Sequence, residues 1–366
     1  MAVTSAWAWK CPLTIDHTQV IEDIPYATIK LLAANFPAGL FTYAKAAGAD
    51  IRFTSDSAGA TELSFEIVLY ATSPSNLAMI YVLVPNLSSS VDTTIYVWYG
   101  NSAANAYAAT DTYGRNSVWT TTSYVHVHHF QEASGTLVNS TGDATYDGTS
   151  TAITYREAQG DGTYCIRFTA ASNSRVALGG NSLNSGTTRT AQGWIWVNSL
   201  TAGSGLGRIL SNESGGNGFF FKVVNSSGGH IATIAMDTIY GANNAIAAGA
   251  WYYAAVSRTA ANPGIWNFYV NGVLTGTANQ SQVTPAGGNE SYGCRGDGTN
   301  DRNLDGWLAE MRVSNAVQSA NALLTAYNNE SNPSSFSAAG TPVVTGNWFL
   351  LPDKNLLYNT MRGLDR

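Results

Sequence analysis

The chain has 366 residues, which suits two domains better than one. Hydrophobic residues make up 45% of it, enough for two sizeable cores, whereas charged residues make up only 11%. Ordinary soluble domains carry roughly 25% charge, so Ser, Thr, Asn and Gly must clothe this surface. A net charge of -6 without a basic cluster excludes a nucleic-acid partner.

The opening "MAVTSAWAWKCPLTID" has no basic start, no apolar run of leader length and no small-residue cleavage site. No stretch approaches ~18 consecutive apolar residues, so no membrane span is expected. Cys11, Cys165 and Cys294 are far apart and odd in number, which reads as free buried thiols rather than a disulfide framework. Folding in a reducing cytoplasm combined with an extracellular style of surface fits a virion protein released by lysis.

Along the chain, "TELSFEIVLY", "MIYVLVP" and "TTIYVWYG" alternate as strands, rich in β-branched and aromatic residues and bounded by turn formers. Glu62 and Glu66, four apart, are expected on one face of one strand. The segment 101–118, "NSAANAYAATDTYGRNSV", is small, polar and strandless, and is expected to be a linker between halves that fold separately. Further strands follow in "GWIWVNSL", "NGFFFKVV", "WYYAAVSR" and "GIWNFYVNGVLTG"; in the last, Asn271-Gly272 predicts a two-residue hairpin turn. Short helices are expected only near Phe41 to Ala47 and Ser319 to Asn328. This is an all-β pattern, two β-sandwich (jelly-roll) domains in tandem. The expected division is 1–110, 111–340 and a C-terminal docking extension at 341–366. That extension holds Trp348, Phe349, Leu350, Leu351, Leu356 and Leu357, an apolar strip that its own domain or a neighbouring subunit must cover.

The run Gly48 to Ile67, "GADIRFTSDSAGATELSFEI", with Tyr81 to Asn101, "YVLVPNLSSSVDTTIYVWYGN", resembles the β-sandwich family known as domain of unknown function 2341. Tyr124 to Gly142, Ala191 to Val197, Trp251 to Gly276 and the closing "LDGWLAEMRVSNAVQSANALLTAYNNE" resemble the laminin-G and concanavalin A-like lectin group. The pairing resembles tandems in phage structural and bacterial surface proteins. It implies a jelly roll that recognises glycans or protein surfaces, although fold alone does not fix function.

A glycosidase of this fold needs two carboxylates flanking a sugar, carried as E-x-D-x-x-E on one strand. That string is missing, as is a G-x-S-x-G elbow, and the chain reads as non-enzymatic. His126 and His128 share a strand face and offer a two-histidine metal set, with His129 pointing away; the alternative is that all three are structural, as the resemblance implies for His129. Asp301, Asn303 and Asp305, followed by Gly306, match the first half of a calcium loop. Position twelve, where a bidentate Glu belongs, is Arg312, and the alternative is a turn entering the last strand. Arg295-Gly296-Asp297 spells the integrin tripeptide, a cheap match in a Gly/Asp-rich loop. Trp194 with Trp196, and Trp251 with Tyr253, share strand faces and are expected to fill a core rather than stack on sugars. Tyr240 and Tyr292, in turn-rich loops, are the preferred ligand-contacting aromatics.

The function expected from these residues is a phage virion structural protein: capsid decoration, head fibre or tail-associated. It assembles with other virion subunits as a homo-oligomer, and its lectin-like domain contacts host-surface glycans. The alternative is a secreted or surface bacterial glycan-binding or adhesion protein, and more distantly a carbohydrate-active enzyme.

Overall fold

The computed structural model describes Val3 and residues 6–183, 188–215, 217–225, 233–236, 239–280 and 288–345. The described strands form antiparallel sheets around two cores, as the period-2 patterns require. In the first sandwich, Trp9–Ile15, Thr93–Tyr99, Arg52–Thr54 and Glu62–Leu63 form one sheet. The second sheet has three strands in the order Ile24–Leu32, Leu77–Leu87, Phe65–Ala71. Leu13, Ile29, Leu31, Phe53, Ile80, Val82 and Val97 fill the space between them.

Leu77–Leu87 differs from an ordinary sandwich strand in being buried on both faces. Ile80, Val82 and Val84 face the first core, while Met79, Tyr81 and Leu83 pack outward on Val118, Trp119 and Val127. Its near-continuous apolar run is the composition that two-sided burial demands. Trp119 comes from the helix Arg115–Thr120, which begins inside the segment 101–118 expected to be a linker and runs past its end. Upstream, Tyr107 packs on the first core, and the Ala104 and Asn105 carbonyls accept from Lys45 and Arg52, tying this segment down.

The second sandwich stacks an eight-stranded sheet on a seven-stranded one. The larger has the central order Tyr164–Phe168, Gly306–Ser314, Arg189–Val197, Trp251–Arg258, Gly264–Val270. Tyr124–His128 also pairs with Gly306–Ser314. Phe130, Phe168, Ile195, Val197, Phe221, Trp266 and Leu308 are among its core residues. The hairpin at Asn271-Gly272 is present, with φ of 52° and 75°, the two positive values that this turn needs. All three cysteines are buried and free. Burial raises their thiol pKa values to about 11, 12 and 11 for Cys11, Cys165 and Cys294, which keeps them protonated and unreactive.

Two expectations about the division of the chain need correction. Ser337–Ala339 and Val343–Val344 pair with Trp9–Ile15, so the chain returns to the first sandwich after leaving the second, across the expected boundary at 340. Buried Asn35 fixes this return by donating to the carbonyls of Pro333 and Ser337. Nor are the halves independent. Helix Ala320–Ser331 lies against the edge strand Ile24–Leu32, where Asn329 accepts from the Lys30 backbone N–H (2.7 Å) and donates to its carbonyl (3.0 Å). One amide thus closes a strand edge that would otherwise be open for pairing. The apolar strip from Trp348 to Leu357 lies outside the described residues.

Candidate functional site

Strand alternation in the eight-stranded sheet sends Ile195, Val197 and Leu308 into the core and turns their neighbours outward. Register then aligns Arg167 with Trp307, Trp307 with Trp196, and Trp196 with Trp251, a row across four adjacent strands on the outer face. The three indoles are half-buried. Trp196 meets Trp251 edge-on at 5.8 Å and Trp307 at 6.0 Å, and the Arg167 guanidinium lies 4.9 Å from the Trp307 ring. One row further, Cys165, Ala309, Trp194 and Tyr253 are buried beneath Ala326 and Tyr327 of helix Ala320–Ser331. The helix therefore covers one row and leaves the tryptophan row accessible. This corrects the core expectation for Trp196 and Trp251, since the inward positions are held by Ile195 and Val197; Trp194 and Tyr253 do lie in a buried core, the one beneath the helix. Tyr292 is corrected too, being wholly buried and bonded to His126 and His128; Tyr240 is half-buried, 5.7 Å from the Lys222 ammonium.

A second constellation joins the sandwiches. Glu310 sits at a bulge, where Gln192 and Trp194 span the partners Arg312 and Ala309, and its φ is 54°. Gly193 faces the bulge, and a Cβ there would lie 2.4 Å from the Met311 sulfur and 3.0 Å from the Glu310 carbonyl. The bulge brings both Glu310 and Arg312 into the domain interface. There His129 bridges Glu310 (2.6 Å) of the second sandwich and Glu66 (3.1 Å) of the first. Tyr81 donates to Glu310 (2.7 Å) and accepts from Arg312 (2.8 Å), while Glu66 also accepts from Trp119 (2.5 Å) and Ser140 (2.7 Å). Arg312 pairs with Glu330, and wholly buried Lys30 pairs with Asp161 at 3.2 Å.

Burial alone would lower the His129 pKa, but Glu310 and Glu66 reverse this and raise it to about 9. Burial likewise works against the Glu310 carboxylate, and His129, Lys30 and Arg312 outweigh it, holding its pKa below the usual range. His129 is therefore an imidazolium clamped between carboxylates of different domains. Sequence reading missed this partnership; the available signals were a lysine inside the apolar strand "IKLL" and two charges in "AEMRV". Glu62 and Glu66 do not share a strand, because the chain crosses from one sheet to the other between them. Glu62 instead accepts from Tyr107 (2.7 Å) beside Arg52, in the first sandwich.

His126 and His128 share a face as expected, and His129 points away from them. Each nitrogen of the pair has a protein partner: His126 has Glu290 (2.9 Å) and Tyr292 (3.1 Å), and His128 has Tyr292 (3.1 Å) and the Tyr146 carbonyl (2.9 Å). Burial, and next the neighbouring His126, push the His128 pKa well below its ordinary value. Asp301, Asn303 and Asp305 take three different sets of partners. Asp301 pairs with Arg295 (3.1 Å) and Arg302 (3.7 Å), Asn303 donates to the Ala170 carbonyl (3.2 Å), and Asp305 accepts from Asn198 (2.9 Å). Two guanidiniums at Asp301 already supply the positive charge that a cation would bring, and Gly306 simply opens the strand Gly306–Ser314. Ca²⁺ and EDTA are accordingly expected to give the same unfolding temperature; a Ca²⁺-dependent rise that Asp301→Ala abolishes would restore the calcium set. Within the integrin-like tripeptide, Arg295 pairs with Asp297 at 2.8 Å, so its two charges face each other.

Two family models match this chain in tandem. Residues 47–145 match the domain of unknown function 2341, and residues 169–323 match the concanavalin A-like lectin/glucanases superfamily. The second sandwich is thus lectin-like in fold. No curated protein matches the chain. Among solved structures, domain 4 of AbnA, a GH43 extracellular arabinanase from Geobacillus stearothermophilus in complex with arabinotriose, is similar at 16% identity and a TM-score of 0.43, covering 55% of this chain and 96% of that one. The binding domain of Paraclostridial Mosquitocidal Protein 1 is similar at 12% identity and a TM-score of 0.45, covering 58% and 53%. The receptor binding domain of botulinum neurotoxin C/D mosaic serotype is similar at 14% identity and a TM-score of 0.41, covering 57% and 52%. This chain spans about half the length of the two toxin domains.

Proposed function

We propose that this chain is a non-enzymatic structural protein of a phage particle whose lectin-like sandwich binds glycans through the outer row Trp307, Trp196 and Trp251. The row itself carries the reading. Tryptophans that only filled space would lie between the sheets or under the helix, as Trp266 and Trp194 do. These three remain half-buried on a rigid sheet, and no described residue accepts from their indole N–H groups. The apolar C–H faces of a sugar ring pack on aromatic surface, and its hydroxyls accept from indole N–H groups. The nearby Arg167, Asn198 and Asp305 add polar groups for orientation.

The non-enzymatic part is supported by where the interface carboxylates point. Glu66, Glu310 and Glu330 are held by His129, Arg312, Tyr81 and Trp194, an arrangement that orders two domains. The virion assignment is supported by the charge-poor surface and three free thiols, with other virion subunits as partners in a homo-oligomer. A bacterial surface adhesin would use the same row, and an antibody against the chain distinguishes the two by labelling purified particles or cell envelopes. For the glycan site, Trp196→Ala is expected to weaken binding on a polysaccharide panel at least about tenfold, while a half-buried position keeps the loss of stability small. Equal binding by wild type and variant, or none by either, rejects the row as a glycan site.

A further inference from the structure

A cavity of about 230 Å³ lies between the sandwiches, bounded by the strand Ile24–Leu32, the entry to Tyr124–His128 and the helix Ala320–Ser331. Ligand sites favour such domain junctions, and this volume suits something smaller than the roughly 300–1,000 Å³ pockets of drug-sized ligands. Its lining includes Gln192 and Arg312, each only 2% exposed and directly paired on neighbouring strands. Gln192 donates to the Tyr124 hydroxyl at 2.9 Å, but its Oε1 has no partner. Arg312 uses Nη2 for Tyr81, Glu310 and Glu330, but its Nε has no partner. Buried acceptors and donors are normally satisfied, so an unpaired one of each kind on directly paired residues is a departure that a bound group would repair.

The chemistry of that group follows from the pair. A hydroxyl accepts from Arg312 Nε and donates to Gln192 Oε1, meeting both needs with one atom. A carboxylate cannot donate to Gln192, and an ammonium cannot accept from Arg312. The Arg312 charge is already balanced by Glu310 and Glu330, so the site has no net call for an anion. At the cavity edge, Tyr26 is 51% exposed with a φ of 56°. A bulky residue in the left-handed region costs about 1–3 kcal/mol, and such strain gathers at ligand clamps. A glycine would relieve it.

We propose that this cavity takes one neutral sugar ring, with a hydroxyl seated between Gln192 and Arg312 and Tyr26 closing the edge. It shares no residue with the tryptophan row and does not depend on it. Saturation-transfer NMR of the full chain decides it, using glucose, galactose and N-acetylglucosamine with glucuronic acid and glucosamine as charged counterparts. At least one neutral sugar is expected to bind, and more tightly than its charged counterparts, whose buried charge would have no partner to offset its desolvation. Tyr26→Gly should weaken that binding at least about tenfold while leaving the unfolding temperature equal or higher, because glycine accepts the positive φ. Gln192→Leu should also abolish binding; every chain compared carries Trp196→Ala, which silences the tryptophan row so that the signal reports the cavity. Absence of transfer from every neutral sugar, with water as the sole occupant, overturns the proposal. So does equal binding of charged and neutral sugars, or undiminished binding by both Tyr26→Gly and Gln192→Leu.

Discussion

Replacing Glu310 by alanine is expected to destabilise the whole chain by about 3–5 kcal/mol, the usual consequence of removing one partner from a buried ionic group. Glu310 accepts from His129, Tyr81 and Arg312, all of them buried. Without it His129 keeps only Glu66, and the Tyr81 hydroxyl loses its acceptor. At about 2–4 °C per kcal/mol, typical of domains this large, the unfolding temperature should fall by roughly 6–20 °C. Glu310→Gln should fall less, since its amide keeps an oxygen acceptor and only the charge is lost. Because the contacts cross between sandwiches, circular dichroism should also show one cooperative transition in the wild type, splitting or broadening in Glu310→Ala. A wild type that melts in two separate steps, or a loss below about 1 kcal/mol in the variant, would mean that the cluster does not couple the domains.

The strands were legible because period-2 alternation is a local property, and the Asn271-Gly272 turn because only a few residue pairs tolerate two positive φ values. The domain junction was harder to read. The continuous apolar run "MIYVLV" calls for cover on both faces but does not say what supplies it, and only the second sandwich shows what covers Tyr81. Likewise Glu62 and Glu66 look like neighbours along one strand until the chain is seen to change sheets between them. His129 finds one of its carboxylates 63 residues upstream and the other 181 residues downstream, separations that no local spacing encodes. The outer tryptophans were identified by residue number, yet their side of the sheet depends on which of two alternating sets faces the core. Ile195 and Val197 against Trp194 and Trp196 is a contest between two apolar sets, and hydropathy does not decide it. The calcium-like spacing of Asp301, Asn303 and Asp305 was misleading for a related reason: Arg295 and Arg302 reach Asp301 from positions that the loop pattern does not take into account.

Stability should peak near pH 6.5, and two histidines set the two sides of that peak. The ordinary histidine pKa is 6.5, and in the folded chain that of His129 is raised to about 9. A raised folded value means that the native state binds the proton more tightly than the unfolded chain. Its contribution is therefore complete below about pH 6.5 and is lost as pH climbs towards 9. At 1.36 kcal/mol per unit, this amounts to something on the order of 3 kcal/mol. His128 behaves in the opposite sense. Burial and then the neighbouring His126 hold its folded pKa well below 6.5, so its contribution is present above that pH and fades as acid protonates the unfolded chain. Glu310 adds to the acid side: its lowered pKa stabilises above the ordinary carboxyl value of 4.5 and that gain is lost as pH falls further. The groups that face His129 are the Glu66 and Glu310 carboxylates and the rings of Tyr81 and Trp119, so those two carboxylates are its direct ionic partners. Melting temperatures of wild type and His129→Gln, measured from pH 4 to 9.5, separate the two limbs. The variant should be less stable below pH 9 and nearly flat above pH 6.5, keeping the His128 part of its acid limb and losing part of the Glu310 part, because His129 is the first of the groups that hold that carboxyl down. An alkaline decline that persists undiminished in His129→Gln would show that the proton lost between pH 6.5 and 9 belongs to some other group, and that His129 is not the charged link between the domains.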